Sequence, residues 1–529
     1  MKTITFPSIF NDVIGPVMRG PSSSHTAAAH RIGAFIRQLE EPVFKKVIVE
    51  FDRSGALATT YLGQGSALGL AGGLLGIDMT DPEIINYEKH LNKSNFTIEY
   101  IITDLECKHP NAYQISVQYP DREEIHILAI STGGGMFEII EVNGCKVSMK
   151  GDFFENLIFF HDMSDEKMSE LEQILSTNLS DAALEIIKCK ERKVLVNIKS
   201  RDSLINHLTK ISDPGKYITW NSEVSPVMPV ISSFDIKLPF TSVDEMLELT
   251  EKENLSLSDL AIRYESARSG LDSASILKKM EEIVIIIRNS IQEGLKGTYY
   301  EDRILGTQSK LITEAEQKGL IKKSINSSII AFTSAIMEVK SSMGLIVATP
   351  TAGSCGVLGG ALFGSLGDQD FDMESIVRGF MAAGITGVFI AGKYTFSAEE
   401  GGCQVETGSG AAMAAAGLVE MDGGTAKQAM AAASMALQNE LGLVCDPVAV
   451  RVEVPCLGKN IMAATNALNA SIMAIAGYDP VIPYDEVIDA MKSVGEALPS
   501  SLCCTGLGGL AQTPTGKCLY KKFNPGYSN

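Results

Sequence analysis

Apolar residues recur in two different rhythms along this chain of 529 residues. In the first part they alternate with polar ones in short runs: Val47–Phe51, Ile98–Thr103, Tyr113–Tyr119, Ile125–Ile130 and Phe137–Val142. A period of two puts neighbouring side chains on opposite faces of an extended strand. Turn residues, Asn143-Gly144 among them, separate the runs. Residues 56–76, rich in Ala, Gly and Leu, read as a helix that follows a strand. A second patch, 155–210, reads strand (Leu157–Phe160), helix (164–175) and strand (Val194–Ile198), about the size of a small βαβ module.

The rhythm changes after residue 242. Ser242-Val-Asp-Glu245 has the form of a capping box and opens a helix. Ile276, Leu277, Met280, Ile283, Val284, Ile287 and Ile291 then follow helical spacing. Beyond 330 the helices become rich in Ala, Gly and Met, as in Ala411–Ala416 and Ala429–Ala436. Asp422-Gly423-Gly424 makes the turn between those two, and Thr425-x-x-Gln428 restarts the helix. Small side chains let helices pack closely. Residues 211–241 carry Pro214, Pro226, Pro229 and Pro239 with little periodicity, and read as a linker. The expected fold is an α+β N-terminal part followed by an all-α, Ala/Gly-rich helical catalytic domain. Its units are 1–152, 153–210, the linker 211–241, and 242–529.

Composition narrows the partners. Hydrophobic residues are 45% and charged residues 21%, enough for a sizeable core. The formal charge of −19 disfavours nucleic acid and anionic membranes, since no dense Lys/Arg cluster offsets it. The first residues lack the apolar core of a secretory signal. The most apolar stretch, 331–363, is broken by Glu338, Lys340 and Pro350 and makes a poor membrane span. The ten cysteines are therefore expected as reduced thiols or metal ligands in a cytoplasmic enzyme. For any single one of them, an inert buried cysteine is the competing reading.

All seven histidines precede residue 210, whereas seven cysteines follow residue 350. In the histidine-free part, Cys403, Cys445 and Cys456 each sit in a segment containing Gly or Pro. Three thiolates are one short of a closed metal site. Their spacings match no compact CxxC pattern, which counts against structural zinc, and catalytic zinc normally recruits histidine. In the first part, Ile14-Gly-Pro-Val-Met-Arg-Gly-Pro-Ser-Ser-Ser-His-Thr26 gathers small donors beside Arg19. Such a set suits a carboxylate, or simply caps a helix. His25 is a candidate base or donor. Ser131-Thr-Gly-Gly-Gly135 offers backbone N–H groups to an anion, or is a turn between strands. Thr349–Gly356 has the same character, and its Cys355 is a further thiol.

Taken together these segments resemble the iron–sulfur-dependent L-serine dehydratases. Gly15–Thr26 looks like that family's substrate motif. Thr349–Gly356, Phe396–Gln404, Leu441–Pro447, Val454–Cys456 with Asn460, and Thr505–Leu510 with Thr513–Gly516 look like its cluster-domain motifs. The order is that of the single-chain form, β-type domain first and α-type domain second, and 153–210 is similar to the ACT-like insert of some members. The resemblance implies a [4Fe–4S] cluster on Cys403, Cys445 and Cys456 with one iron left for substrate. It implies L-serine as the small-molecule substrate, bound by Ser22, Ser23, Ser24, His25, Thr26, Gly133 and Gly134, and a homodimer. The open iron would act as a Lewis acid on carboxylate and hydroxyl, and the eneamine product would decay to pyruvate and ammonia.

Departures from the family pattern raise alternatives. Gln64 stands where the family carries a histidine implicated as the base, with Leu62 and Ala67 where lysine and aspartate are common. Glutamine is no general base, so His25, another substrate such as a 2-(hydroxymethyl) acid, or a non-catalytic amino-acid or redox sensor comes into view. Some members end in a cysteine that caps the open iron. Here the last five residues have none, and Cys503, Cys504 and Cys518 are the loose substitutes.

Overall fold

The computed structural model describes residues 6–39, 44–107, 109–161, 165–178, 182–189, 193–204, 218–234, 236–367 and 372–524. Twelve strands are numbered in chain order: β1 Val17–Met18, β2 Lys46–Asp52, β3 Thr97–Thr103, β4 Ala112–Gln118, β5 Ile125–Gly133, β6 Met136–Val142, β7 Cys145–Met149, β8 Phe154–His161, β9 Ala182–Lys188, β10 Lys193–Ser200, β11 Ile218–Val224 and β12 Ile346–Val347. The alternating runs of the first part all become strands. They form a six-stranded sheet in the order β3-β2-β4-β5-β6-β7. Only β2 and β3 are parallel. Asn143 and Gly144, both with positive φ, close the β6–β7 hairpin. The helices Ala28–Leu39 and Ser66–Leu75 cover one face, and Phe35, Ile36, Leu70 and Leu74 share a core with Val47, Phe51, Tyr113 and Ile115.

Three expectations about this part change. The stretch 56–76 is two helices, Leu57–Thr60 and Ser66–Leu75. Gly65, at φ +89, breaks the chain between them. The patch after 153 has one more strand than expected. β10 lies between β8 and β9, antiparallel to both, so β8, the helix Asp165–Asn178 and β9 make a split unit. Residues 218–224, inside the expected linker, form β11 on the edge beside β8. The prolines sit outside that strand, where their missing N–H groups disturb no ladder. Pro214 and the rest of 211–217 lie outside the described residues.

Helices form the second half, as their spacing predicts. Ser242 caps Val243–Glu253 through the Glu245 amide. Only half of the box forms, because the Glu245 carboxylate turns back to Thr241 instead. Thr425 and Gln428 make a full capping box on Ala426–Gln438. The apolar stretch 331–363 is cut into the end of Ile325–Ser341, β12, and the helix Cys355–Ser365. The helix Met373–Lys393 has the length and apolar content of a membrane span, and 78% of its apolar stretch is buried inside the fold.

The two halves are interlocked. Ile9, Phe10, Val13 and Ile14 belong to the core of the helical half. Gly384 and Gly387 of Met373–Lys393 leave room for Ile9 and Val13: a Cβ there would come within 2.6 and 2.3 Å of them. β1 pairs with β12 antiparallel. The chain therefore leaves the helical core at Met18 and enters the sheet half through residues 19–27.

One expectation about the cysteines is corrected. Cys145 and Cys189 form a disulfide, so not all ten are reduced thiols or metal ligands. The first residue of β7 and the residue after β9 meet where the two sheets abut, which brings the sulfurs together.

Candidate active site

The Ser22–Thr26 segment is a helical turn. The Ser22 side chain caps it through the His25 amide. All five residues are buried. His25 Nε2 lies 2.8 Å from Thr60 Oγ1. Thr60 gives its own proton to the Ala56 carbonyl at 2.6 Å. It must therefore accept from His25, which places the ring proton on Nε2 and leaves Nδ1 as the acceptor. Nδ1 faces the hydroxyls of Ser22 at 3.0 Å and Ser24 at 3.1 Å, and Glu399 Oε1 at 3.4 Å.

Glu399 comes from the second half. Ser24 and Ser397 donate to its two oxygens at 3.0 and 2.7 Å. Burial lowers the His25 pKa while the Glu399 carboxylate raises it, and the net direction is down. Burial raises Glu399, but His25 and the Ser397 hydroxyl outweigh it and hold the carboxyl below its ordinary range. The pair is a carboxylate beside a neutral imidazole. Glu399 lies inside a quoted motif, but nothing in its own spacing marks it. Only the approach of the two halves does.

The other residues of the turn reach across as well. Ser23 accepts from the Ala352 amide at 3.1 Å, tying the turn to the Thr349–Gly356 segment. Thr26 donates to the Gln64 carbonyl at 3.0 Å. Ser131 donates to the Ser24 carbonyl at 2.7 Å. Gly133 and Gly134, both with positive φ, press on the 396–397 and 350 backbones. A Cβ on Gly133 would meet Ser397 N at 2.6 Å. These two glycines serve a close contact between the halves.

The three cysteines converge from separate places. Cys403 opens a short 3-10 turn, Cys445 lies in an irregular segment, and Cys456 starts the helix Cys456–Ile475. The sulfurs of Cys403 and Cys445 and a Glu406 oxygen lie within 4.8 Å of one another. Cys456, also buried, is pushed up by burial and then by the Cys403 charge. Lys459, one turn into the same helix, puts Nζ 3.6 Å from Cys403 Sγ and 3.2 Å from Asp446 Oδ1. Burial lowers Lys459, but the three thiols and Asp446 raise it further, so it stays a cation. Lys340, fully buried, donates to the Val452 carbonyl and acts electrostatically on Cys456. Three buried thiols under two lysines match what a thiolate-bound iron–sulfur group demands: soft donors and compensating positive charge.

Gln64 points into this set. It is 1% exposed, and its Nε2 lies 3.4 Å from the Cys504 sulfur. Cys504 packs with Cys403 and Cys445, and its amide donates to the Cys445 carbonyl at 2.9 Å. Cys503 bridges Cys445 through backbone. Cys518 is exposed on Pro514–Phe523, and Cys355 is buried against Met337. Of the loose candidates, Cys504 is the one whose side chain joins both Gln64 and the cysteine set. The glycines on either side of Gln64 line a cavity of about 120 Å³ together with Pro21, Lys340 and Arg451.

Residues 252–511 match the family model for the serine dehydratase alpha chain. The Probable L-serine dehydratase, alpha chain, of Bacillus subtilis (strain 168) is 40% identical over 288 residues, 54% of this chain and 95% of that protein. The chain belongs to the L-serine dehydratase family. The L-serine dehydratase alpha chain of Peptoniphilus asaccharolyticus is 37% identical over 284 residues, 53% of this chain and 96% of its own. The L-serine dehydratase of Streptomyces coelicolor is 26% identical over 504 residues, 93% of this chain and 96% of its own. That near full-length match supports the single-chain arrangement. Membership makes the chain a lyase, and the β-rich part followed by a helical one agrees with the expected fold class.

Proposed function

We propose that this chain converts L-serine to pyruvate and ammonia with a [4Fe–4S] cluster held by Cys403, Cys445 and Cys456. The observation that carries the reading is the approach of the buried Cys403 and Cys445 thiols, with buried Cys456 near enough to feel the Cys403 charge, on the half whose Glu399 meets the Ser22–Thr26 turn. When bound, such a cluster supplies an open iron as Lewis acid for carboxylate and hydroxyl. The chain's own residues do the rest. Lys459 and Lys340 balance the negative thiolates. Ser22–Thr26, with Gly133 and Gly134 behind it, forms the wall against which the substrate is held. His25, neutral with Nδ1 as acceptor, takes the Cα proton; Thr60 holds its ring through Nε2, and the Glu399 carboxylate favours the imidazolium that forms. Gln64 is no base, and its amide orients Cys504. The functional unit is a homodimer, which light scattering on the purified chain tests.

Replacing any one of Cys403, Cys445 or Cys456 by Ala removes the brown chromophore and iron from protein purified without oxygen. Full iron content in one of these variants takes that cysteine out of the ligand set. A second reading keeps the cluster and changes the substrate, because the amide of Gln64 is engaged with Cys504 where a base would be needed. Turnover of L-serine, L-threonine and 2-(hydroxymethyl) acids, measured side by side, separates the two. Pyruvate from L-serine as the dominant product removes the second. A cluster-loaded chain that turns over none of them points to a sensor.

A further inference from the structure

We propose that the chain carries a second small-molecule site, at the junction of its two halves, for a small carboxylate with a short aliphatic side chain. A cavity of about 350 Å³ lies there, at the lower end of the range for small-ligand sites. Three segments wall it: residues 10–17, residues 226–229, and the helix Ser273–Lys296. Arg31 reaches it from the helix Ala28–Leu39.

Arg31 is 3% exposed. Its Nη1 donates to the Gly135 carbonyl at 2.6 Å and lies 3.8 Å from the Met136 sulfur. Among the described residues, Nε and Nη2 have no hydrogen-bond partner, and no carboxylate lies within ion-pair distance of the guanidinium. Asp12 acts on it only electrostatically, its own carboxylate being held by the Ser8 amide. The two unused donors are not sealed in protein, and the residue lines the cavity. A buried cation with idle donors is costly unless something pairs it. The planar guanidinium fork fits a carboxylate.

The remaining lining selects the ligand. Lys279 and Glu282 are the other charged residues there, and among the described residues neither is in an ion pair. Lys279 lies 6.0 Å from the centre of the Phe10 ring. Two cations against one anion call for a carboxylate on the ligand. Ile14, Met228 and Ile283 make much of the wall apolar, which disfavours phosphates and sugars. Glu282 gives an ammonium a partner, so an aliphatic amino acid gains over the plain acid.

This site shares no residue with the cysteine set or the Ser22–Thr26 turn, and it does not depend on the proposed reaction. It does touch the same scaffold. Residues 14–17 lead directly into that turn. Arg31 holds Gly135, two residues beyond the end of β5, the strand whose Ser131 donates to the Ser24 carbonyl. A carboxylate on Arg31 therefore bears on the active site through backbone already in contact with it.

Calorimetric titration of the full chain, purified without oxygen, with 3-methylbutanoate and with L-valine tests the proposal. The expected result is saturable binding of one ligand per chain, tighter for L-valine. Arg31→Met weakens it roughly tenfold or more, the loss of charge-assisted hydrogen bonds. Ile286→Trp fills the cavity while leaving Arg31 in the sequence and blocks both ligands, so the test survives a poorly folding Arg31 variant. Absence of binding of both ligands to the unaltered chain, or unchanged binding in Ile286→Trp, overturns the proposal.

Discussion

Thr60 fixes how His25 can act. Because its hydroxyl proton is spent on Ala56, the histidine presents Nδ1 to Ser22, Ser24 and Glu399. Glu399 is the one of these that raises the His25 pKa against burial. We expect Glu399→Gln to lower kcat by about a hundredfold, the low end for a general base displaced from its working state. The pH profile gives the sign. A neutral imidazole acts as base, so activity falls as pH drops through its pKa. Removing the carboxylate lowers that pKa, so the acid limb moves to lower pH. An unmoved limb would remove Glu399 as the positioning residue. At this scale the sequence marked His25, the three cysteines and Gln64 through their motifs. It named Cys504 only as one of three loose substitutes and did not single out Glu399, because 440 and 374 residues separate them from the partners they meet.

The two helices that carry the turn are pressed together through glycine. A Cβ on Gly69 would come within 2.0 Å of the Thr26 carbonyl, and one on Gly73 within 2.1 Å of the His30 carbonyl. Backbone on backbone cannot give way as a flexible side chain does. Gly69→Ala is expected to cost about 1–3 kcal/mol or more and to displace Thr26, losing activity beyond the loss of stability. Denaturant unfolding and turnover on one preparation check this. The sheets carry a pH effect of their own. Burial, opposed by Lys199, raises Glu155 on β8 to about 8. Its folded pKa lies above the unfolded one, so its contribution is full below the unfolded value and is lost as pH rises through the folded value. Glu155→Gln should flatten the fall in stability between mildly acidic pH and about pH 8, seen in melting temperature against pH. The strands and helices themselves were legible, since periods of two and 3.6 declare them. β7, β9 and β11 were not, nor were the two-residue β1 and β12. β7, β9 and β11 are edge strands, paired on one side only.

For the whole molecule, the proposed three-thiolate site leaves one iron without a protein thiolate, so activity should decay on exposure to air and return with iron, sulfide and reductant. Stable activity after prolonged aeration would sink the open-iron reading. By itself the sequence determined the two-part order, the class of each part, the family, and the residues able to carry soft-metal and proton chemistry. These follow from local periodicity and short motifs, which need no knowledge of distant neighbours. Tertiary structure alone decided that Ile9–Ile14 belong to the core of the helical half, that Cys145 meets Cys189, and that Glu399 crosses to His25. It also placed Cys504 against Gln64 and left Arg31 with idle donors on a cavity. Each of these joins residues far apart in the chain, and only burial and backbone packing of the whole fold bring them within hydrogen-bonding or van der Waals reach.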